Sequence, residues 1–170
     1  DELSIGDPWN LDTDIGPVID SEAQNSIRIH INTAEKDGRL LKKMLAPDSG
    51  TFVGPAVIQV SGIADIKTEV FGPVLHVALY QAHQIDQILS DINKSGYGLT
   101  FGLHTRIDDR VEIVTSKLHI GNMYINRNQI GAIVESQPFG GEGLSGTGPK
   151  AGGPNYVKYF AGQPLCQKNE

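Results

Sequence analysis

The sequence predicts an α/β fold, in which helices flank a mostly parallel sheet, and two observations lead to this expectation. Amphipathic segments with the apolar spacing of helices alternate along the chain with short apolar segments that suit strands. Gly and Pro residues separate many of these segments, as expected where one element ends and the next begins. Alternation of this kind is typical of parallel sheets, because parallel neighbours need a crossover connection.

The first predicted helix follows Asp20 and ends at Gly38. Asp is a preferred N-cap residue, and Gly readily adopts the left-handed conformation that ends helices. Apolar residues recur at spacings of three and four, which places them on one face of this helix: Ala23, Ile27, Ile31 and Ala34.

Three strands are predicted after this helix, over residues 39–45, 52–60 and 74–80. The second of them contains Gly54 and Pro55. Because proline cannot donate a hydrogen bond to a strand ladder, we expect Pro55 to lie at a sheet edge or a bulge.

Two further helices and three further strands are predicted in the second half of the chain. One helix spans about residues 84–94 and ends at Gly96, and the other begins at a cap formed by Asp108 or Asp109. The first helix has a clear apolar face, made by Ile85, Ile88, Leu89 and Ile92. The strands are predicted over residues 99–105, 121–126 and 156–160.

Residues 127–154 are rich in Gly and Pro and show no period, so they are predicted to form a long functional loop. Within it, residues 141–146 match the G-x-G-x-x-G dinucleotide pattern literally. That pattern requires a helix to open at the loop, and Pro149 with the glycines and proline after it disfavours one. The Walker pattern and the serine nucleophile elbow are also missing.

The composition excludes several classes of protein. A single cysteine, Cys166, rules out an intramolecular disulfide and a Cys-rich zinc site, and we expect no bound metal because the histidines lack metal-ligand spacing. With 14 Lys+Arg against 20 Asp+Glu there is no basic stripe for nucleic acid. No apolar run approaches the ~20 residues of a transmembrane helix, so we expect a cytoplasmic protein with no transmembrane segment.

Two irregular segments carry residue types that suit a binding site. Glu69 precedes Phe71 by two residues and a Gly-Pro pair follows, so the carboxylate is suited to ribose hydroxyls and the phenyl ring to a flat ring. Further along, the small residues Gly131 and Ala132 expose backbone N–H groups that suit a carboxylate. From composition alone, a plain turn with a surface Glu and a plain strand-exit loop remain the simpler alternatives.

These segments resemble the NAD(P)-dependent aldehyde dehydrogenases. Residues 69–73 are similar to the E-[IV]-F-G-P signature of that family, and residues 138–146 are similar to its P-F-G-G-x-x-x-S-G segment. Residues 6–8 and 16–19 resemble the segment that follows the catalytic cysteine in the family. The order and spacing of the motifs agree along nearly the entire chain.

Within that family, residues 126–132 and 141–154 are similar to L-glutamate γ-semialdehyde dehydrogenase, also called 1-pyrroline-5-carboxylate dehydrogenase. Residues 7–11 and the sequence of the long loop look closest to the bifunctional proline utilization A type. In that type, a flavin-dependent proline dehydrogenase precedes the aldehyde dehydrogenase, so FAD would belong only to a domain outside this chain. Glu135 departs from the small or apolar residues that related sequences usually carry there.

The resemblance implies a mechanism and roles for five residues. A cysteine thiolate attacks the aldehyde, hydride passes to NAD, and a Glu-activated water hydrolyses the thioester. Glu69 would bind the nicotinamide ribose, and Phe71 would pack near the nicotinamide. Gly131 and Ala132 would offer N–H groups to the substrate α-carboxylate, and Phe139 would line the aldehyde pocket.

The resemblance also implies that the nucleophile and the cofactor domain lie outside these 170 residues. Residues 1–154 would be the C-terminal portion of the catalytic domain, and residues 155–170 an oligomerisation strand and tail that join a homo-oligomer. The isolated chain is therefore expected to be inactive. Two alternatives stay open: another aldehyde dehydrogenase, such as a succinate-semialdehyde type, and a truncated homologue that serves only assembly.

Overall fold

Helices and strands alternate in the computed structural model, which describes residues 2–130, 137–146 and 149–162. The chain forms two units, Asp1–Tyr80 and Gln81–Glu170. The α/β fold class is confirmed. The predicted division between residues 1–154 and 155–170 stays a prediction.

The first unit combines helix α1 (Ser21–Lys36) with a three-stranded sheet. Its strands are β1 (Leu40–Lys43), β2 (Ala56–Gln59) and β3 (Val74–Val77), in that spatial order. Strand β1 runs antiparallel to β2, whereas β3 runs parallel to β2. A short 3-10 helix, Ile63–Asp65, lies in the connection between β2 and β3.

The helix α1 begins and ends where the sequence predicts. The Asp20 carboxylate accepts a hydrogen bond from the Ala23 backbone N–H at 2.8 Å, which satisfies a first-turn donor. Gly38, with φ of 69°, follows the end of the helix. Three of the four residues on the predicted apolar face form the core of this unit with residues before, in and just after β2: Ile27, Ile31, Ala34, Val53, Ala56, Ile58 and Val60. Ala23, the fourth, is only partly buried and does not belong to this core.

The expectation that Pro55 marks an edge or a bulge is wrong. Strand β2 is the central strand of its sheet, and it begins at Ala56, one residue after the proline. Pro55 therefore has no ladder N–H to lose, and its carbonyl accepts a hydrogen bond from the Met44 N–H at 2.9 Å. Gly54 is needed beside it, because a side chain there would overlap the Met44 carbonyl.

The second unit contains two helices of ten residues and two small sheets. The helices are α2 (Ile85–Lys94), which follows the 3-10 helix Ala82–Gln84, and α3 (Asp108–Lys117). Strand β5 (Thr100–Leu103) runs parallel to β6 (Asn122–Ile125), and β4 (Tyr97–Gly98) runs antiparallel to β7 (Glu142–Gly143). The core of this unit is formed by Leu89, Val114, Leu118 and Ile120.

The predicted caps of α3 differ from those observed. Ile107 is the N-cap residue and makes no side-chain capping bond. Asp108 and Asp109 both lie in the first turn instead, where a negative charge is favoured by the helix dipole. The sequence signal was therefore correct for the helix end but wrong for the residue that caps it.

The predicted terminal strand over residues 156–160 is wrong, because Tyr156–Phe160 forms a short helix, α4. The Tyr159 N–H donates to Asn155 O and the Ala161 N–H to Val157 O, both at 3.0 Å. This winding brings Tyr156 and Phe160 into edge-to-face contact, with ring centroids 5.3 Å apart. Residues 163–170, which include Cys166, lie outside the described part of the chain.

Candidate functional site

The segment before β3 turns sharply twice. The Gly72 N–H donates to Val70 O at 2.9 Å, and the Val74 N–H donates to Gly72 O at 2.8 Å. Each bond closes a three-residue turn, so the backbone direction is fixed over residues 70–74. A side chain at position 72 would overlap the Ile27 side chain, so glycine lets this turn approach α1 closely.

This turn separates its side chains between the core and the surface. Val70 packs against the core of the first unit, whereas its neighbours Glu69 and Phe71 are exposed. The Phe71 side chain is 81% exposed. The Glu69 carboxylate makes no hydrogen bond or ion pair with any residue that the structure describes. Both predicted cofactor-binding side chains are therefore available to a ligand.

Glu69 and Phe71 lie on a groove of about 400 Å³. Its other wall is the N-terminal half of α1 with the two residues before it, from Ile19 to His30. The groove is acidic, because three of its lining residues carry carboxylates and none is Lys or Arg: Asp20, Glu22 and Glu69. Such a lining favours groups that donate hydrogen bonds or carry positive charge.

A pair of histidines lies beside this groove. His30, on α1, and His76, on β3, approach to 2.8 Å between their Nε2 atoms. One N–H and one lone pair are needed at this distance, so only one of the two Nε2 atoms carries a proton. Burial lowers the pKa of His76 from its ordinary value of 6.5, and the positive charges of His30 and Arg39 lower it further.

No local pattern in the sequence indicates this pair, since its members are 46 positions apart. The two rings meet because α1 packs against the sheet that contains β3. His30 lines both the acidic groove and a second cavity of about 220 Å³, which His76 and Lys67 also line. Of the two histidines, His30 thus borders both cavities, whereas His76 borders the second one.

The predicted substrate residue Phe139 lies in the second unit and is partly buried. Its backbone pairs with Ala151: the Phe139 N–H donates to Ala151 O at 3.1 Å, and the Ala151 N–H donates to Phe139 O at 2.9 Å. Two residues earlier, the Gln137 side-chain Nε2 donates to the Tyr124 hydroxyl at 2.8 Å. Residues 137–140 are therefore held by specific contacts rather than left as an open loop.

Two residues of β6 that sequence reasoning missed hold this segment, Asn122 and Tyr124. Asn122 and Tyr124 lie two positions apart on the strand, so their side chains share one face of it, and both are buried. The period of two along the predicted strand places both side chains on one face, and this is the signal that the sequence offers. Nothing in the sequence indicates that its partner is the loop around Phe139.

The predicted site residues are divided between the two units, and two of them lie outside the described residues. Glu69 and Phe71 share one turn of the first unit, and Phe139 belongs to the second unit. Gly131 and Ala132 lie outside the described residues. Of the glycine-rich stretch over residues 141–146, the first part forms β7 and a turn, and the next described helix begins only at Tyr156.

Two features are absent from the part of the chain that the structure describes. Within ranges 2–130, 137–146 and 149–162, no group of three or more His, Cys, Asp or Glu side chains is arranged to hold a metal ion. No helix in the same ranges is long and apolar enough to cross a membrane.

Comparison with known sequences identifies relatives along almost all of the chain. The model of the aldehyde dehydrogenase family matches residues 1–163. The bifunctional protein PutA of Escherichia coli strain K12 is 51% identical over 172 aligned residues, which cover 96% of this chain and 13% of that protein. The 1-pyrroline-5-carboxylate dehydrogenase 1 of Halalkalibacterium halodurans is 41% identical, over 91% of this chain and 30% of that protein.

Solved structures agree with these matches. Proline Utilization A of Bradyrhizobium japonicum superposes with a TM-score of 0.89 at 48% identity, over 94% of this chain and 16% of that one. A 1-pyrroline-5-carboxylate dehydrogenase from Thermus with bound NAD gives a TM-score of 0.81 at 34% identity, over 93% of this chain and 31% of that one. The chain thus spans less than a third of the length of each of these relatives.

Proposed function

The chain belongs to the aldehyde dehydrogenase family, and we propose that it forms part of an NAD-dependent enzyme that oxidises L-glutamate γ-semialdehyde to L-glutamate. The substrate is the open form of 1-pyrroline-5-carboxylate, so the reaction is a step of proline catabolism. In the balanced reaction, the aldehyde carbon loses a hydride to NAD and gains the oxygen of one water.

The observation that carries this proposal is the similarity to relatives named for this substrate. Identity to 1-pyrroline-5-carboxylate dehydrogenases and PutA proteins runs from 39% to 52%, and each alignment covers 88% or more of this chain. The similarity therefore includes both irregular segments that carry the candidate site residues. A general resemblance of fold alone would support only the reaction class.

The residues of the first unit fit the nicotinamide riboside half of NAD. The exposed Glu69 carboxylate is suited to accept hydrogen bonds from a pair of ribose hydroxyls. The exposed face of Phe71 is suited to pack against a planar ring, and the acidic groove favours the positive charge of the oxidised nicotinamide. When bound, NAD supplies the hydride acceptor.

The residues of the second unit are proposed to select the aldehyde. Phe139 would line the pocket, with its backbone fixed by Ala151 and β6. The Gly131 and Ala132 N–H groups would bind the substrate α-carboxylate. A site built for a carboxylate leaves its N–H groups unpaired when a simple aldehyde binds, and this penalty favours the substrate that carries the carboxylate.

We extend the proposal to the architecture of the whole protein. Residues 1–154 would belong to the catalytic domain, and residues 155–170, including α4, would contribute to a homo-oligomer. The nucleophilic cysteine would be supplied by another part of the protein, as would FAD if a proline dehydrogenase domain is present. The isolated 170-residue chain would then show no aldehyde oxidation.

The proposal is tested by following product formation with the whole protein. We expect one NADH and one L-glutamate to form for each molecule of glutamate γ-semialdehyde consumed. The separate 170-residue chain serves as the matched control and should form neither product. Absence of NADH with the whole protein would refute the proposed reaction, and turnover by the separate chain would refute the proposed division of the active site.

A further inference from the structure

The backbone around Phe139 is held from two sides. On one side, the N–H and carbonyl of Phe139 itself pair with Ala151. On the other side, the flanking backbone groups bond to a single side chain: the Asn122 Nδ2 donates to Pro138 O at 3.0 Å, and the Gly140 N–H donates to Asn122 Oδ1 at 3.1 Å. We call these two bonds of Asn122 the amide clasp.

The two bonds of the amide clasp are those that the backbone of a neighbouring strand would otherwise make with residues 138 and 140. In an extended segment, successive residues direct their N–H and carbonyl groups to opposite edges. Ala151 satisfies the edge that residue 139 presents, so the groups of residues 138 and 140 need a partner on the opposite edge. The primary amide of Asn has one acceptor and donors like those of a peptide group, and Asn122 uses both kinds here.

The position of Asn122 is fixed by the strand that bears it. Asn122 begins β6, which pairs in register with β5 through four residues, and its side chain is only 8% exposed. Gly121, just before it, is so close to the Gly140 carbonyl that any side chain there would overlap it. The clasp is therefore short, buried and mounted on a regular strand, which is the arrangement that holds a site precisely.

We propose that Asn122 is a positioning residue for the aldehyde oxidation: its amide clasps residues 138–140 and thereby fixes Phe139 against the substrate. This inference rests on the proposed function, in which Phe139 lines the aldehyde pocket. Asn122 itself need not touch the substrate, because it acts through the backbone on both sides of Phe139. Removing one half of the clasp leaves a partly buried backbone group without its partner.

The same unit contains a matched control for this proposal. Asn93, on α2, makes an equivalent clasp around Leu118: its Nδ2 donates to Lys117 O at 2.7 Å, and the His119 N–H donates to its Oδ1 at 3.0 Å. The two clasps have the same chemistry and the same spacing of backbone groups. Only one of them encloses a proposed substrate residue.

The decisive variants are Asn122→Asp and Asn93→Asp in the whole enzyme. Each keeps the acceptor for the backbone N–H but turns the donor into an oxygen that faces a carbonyl. For Asn122→Asp we expect the KM for glutamate γ-semialdehyde to rise about tenfold, with the KM for NAD and the kcat changed less than twofold. For Asn93→Asp we expect both KM values to stay within twofold of the wild type.

A pH profile gives a second readout that loss of folded enzyme does not produce. Burial raises the pKa of an Asp at position 122, and the protonated acid again has one donor and one acceptor. The excess KM of Asn122→Asp should therefore shrink between about pH 8 and about pH 6. An excess that stays constant over this range would contradict the clasp.

The KM values of Asn122→Asp, Asn93→Asp and Phe139→Ala decide the proposal. A selective rise in KM for Asn122→Asp supports it, and a KM within twofold of the Asn93→Asp value overturns it. Phe139→Ala separates this inference from the proposed function: if it raises the KM while Asn122→Asp does not, the clasp alone is refuted. If neither variant raises the KM, the place of Phe139 in the pocket is refuted, and the positioning role with it.

Should Asn122→Asp fail to fold, hydrogen exchange of the wild-type enzyme takes its place. The Gly140 amide is bonded to Asn122 and lies in a segment without a helix, so its protection depends on the clasp. We expect this amide to exchange much more slowly than that of Leu79 on the surface of the first unit. Exchange of the Gly140 amide at the rate of an exposed amide would overturn the proposal.

Discussion

Replacing Phe71 by Ala separates its proposed role in binding from any role in folding. The side chain is 81% exposed, so about 160 Å² of a side chain of about 200 Å² is open to a ligand. A planar ring that covers half of this open area buries about 80 Å² of Phe71. At about 25 cal/mol per Å² this contact contributes about 2 kcal/mol to binding.

This free energy corresponds to a change of about 30-fold in the Kd for NAD. The effect of Phe71→Ala on folding should be smaller, because only about 40 Å² of the side chain is buried, which is worth about 1 kcal/mol. The two effects thus differ enough to be measured separately, one by calorimetric titration of NAD into the whole protein and one by thermal unfolding.

Leu79→Ala is the matched control, since Leu79 is an exposed apolar side chain of the same unit that does not line the acidic groove. We expect it to change neither the Kd for NAD nor the unfolding temperature appreciably. A Kd of Phe71→Ala for NAD within twofold of the wild type would contradict a stacking role for Phe71, as would an equal loss of binding in Leu79→Ala.

Two further predictions concern the first unit. The pKa of His76 is lowered in the fold, so the unfolded chain binds the proton first and stability falls as pH drops through and below 6.5. His76→Gln should reduce this loss of stability in thermal melts between about pH 7.5 and pH 5.5. An unfolding temperature that falls equally with pH in both proteins would contradict this prediction. Asp20→Ala should lower the free energy of unfolding by about 1 kcal/mol in urea titrations, because the capping hydrogen bond is lost. Asp108→Ala, which removes a first-turn charge without a capping bond, should cost less, and equal losses would show that the capping bond adds nothing beyond the charge.

Local signals in the sequence were sufficient for several elements. Helix α1 was predicted with its cap, its buried face and its terminating glycine because each signal lies within the helix or next to it. The turn that exposes Glu69 and Phe71 is also indicated locally, since Pro73 fixes its own φ and Gly72 leaves room for a tight turn. In these cases the same few residues both carry the signal and form the structure.

Long-range contacts explain what the sequence did not predict. The His30–His76 pair and the amide clasp of Asn122 join residues that are 46 and 16–18 positions apart, and no periodicity encodes such a meeting. The helix at Tyr156–Phe160 was missed for a different reason. Five residues rich in aromatic side chains suit either a strand or a single helical turn, and period alone cannot separate the two.

We propose that this chain contributes the substrate-selecting part of a glutamate γ-semialdehyde dehydrogenase. The most direct measurement is the ratio of kcat/KM for glutamate γ-semialdehyde to that for succinate semialdehyde, with NAD and the whole protein. We predict that the ratio is well above one and falls toward one in Ala132→Val, which crowds the proposed carboxylate site. A ratio below one in the wild type, or a ratio that Ala132→Val leaves unchanged, would contradict the claim.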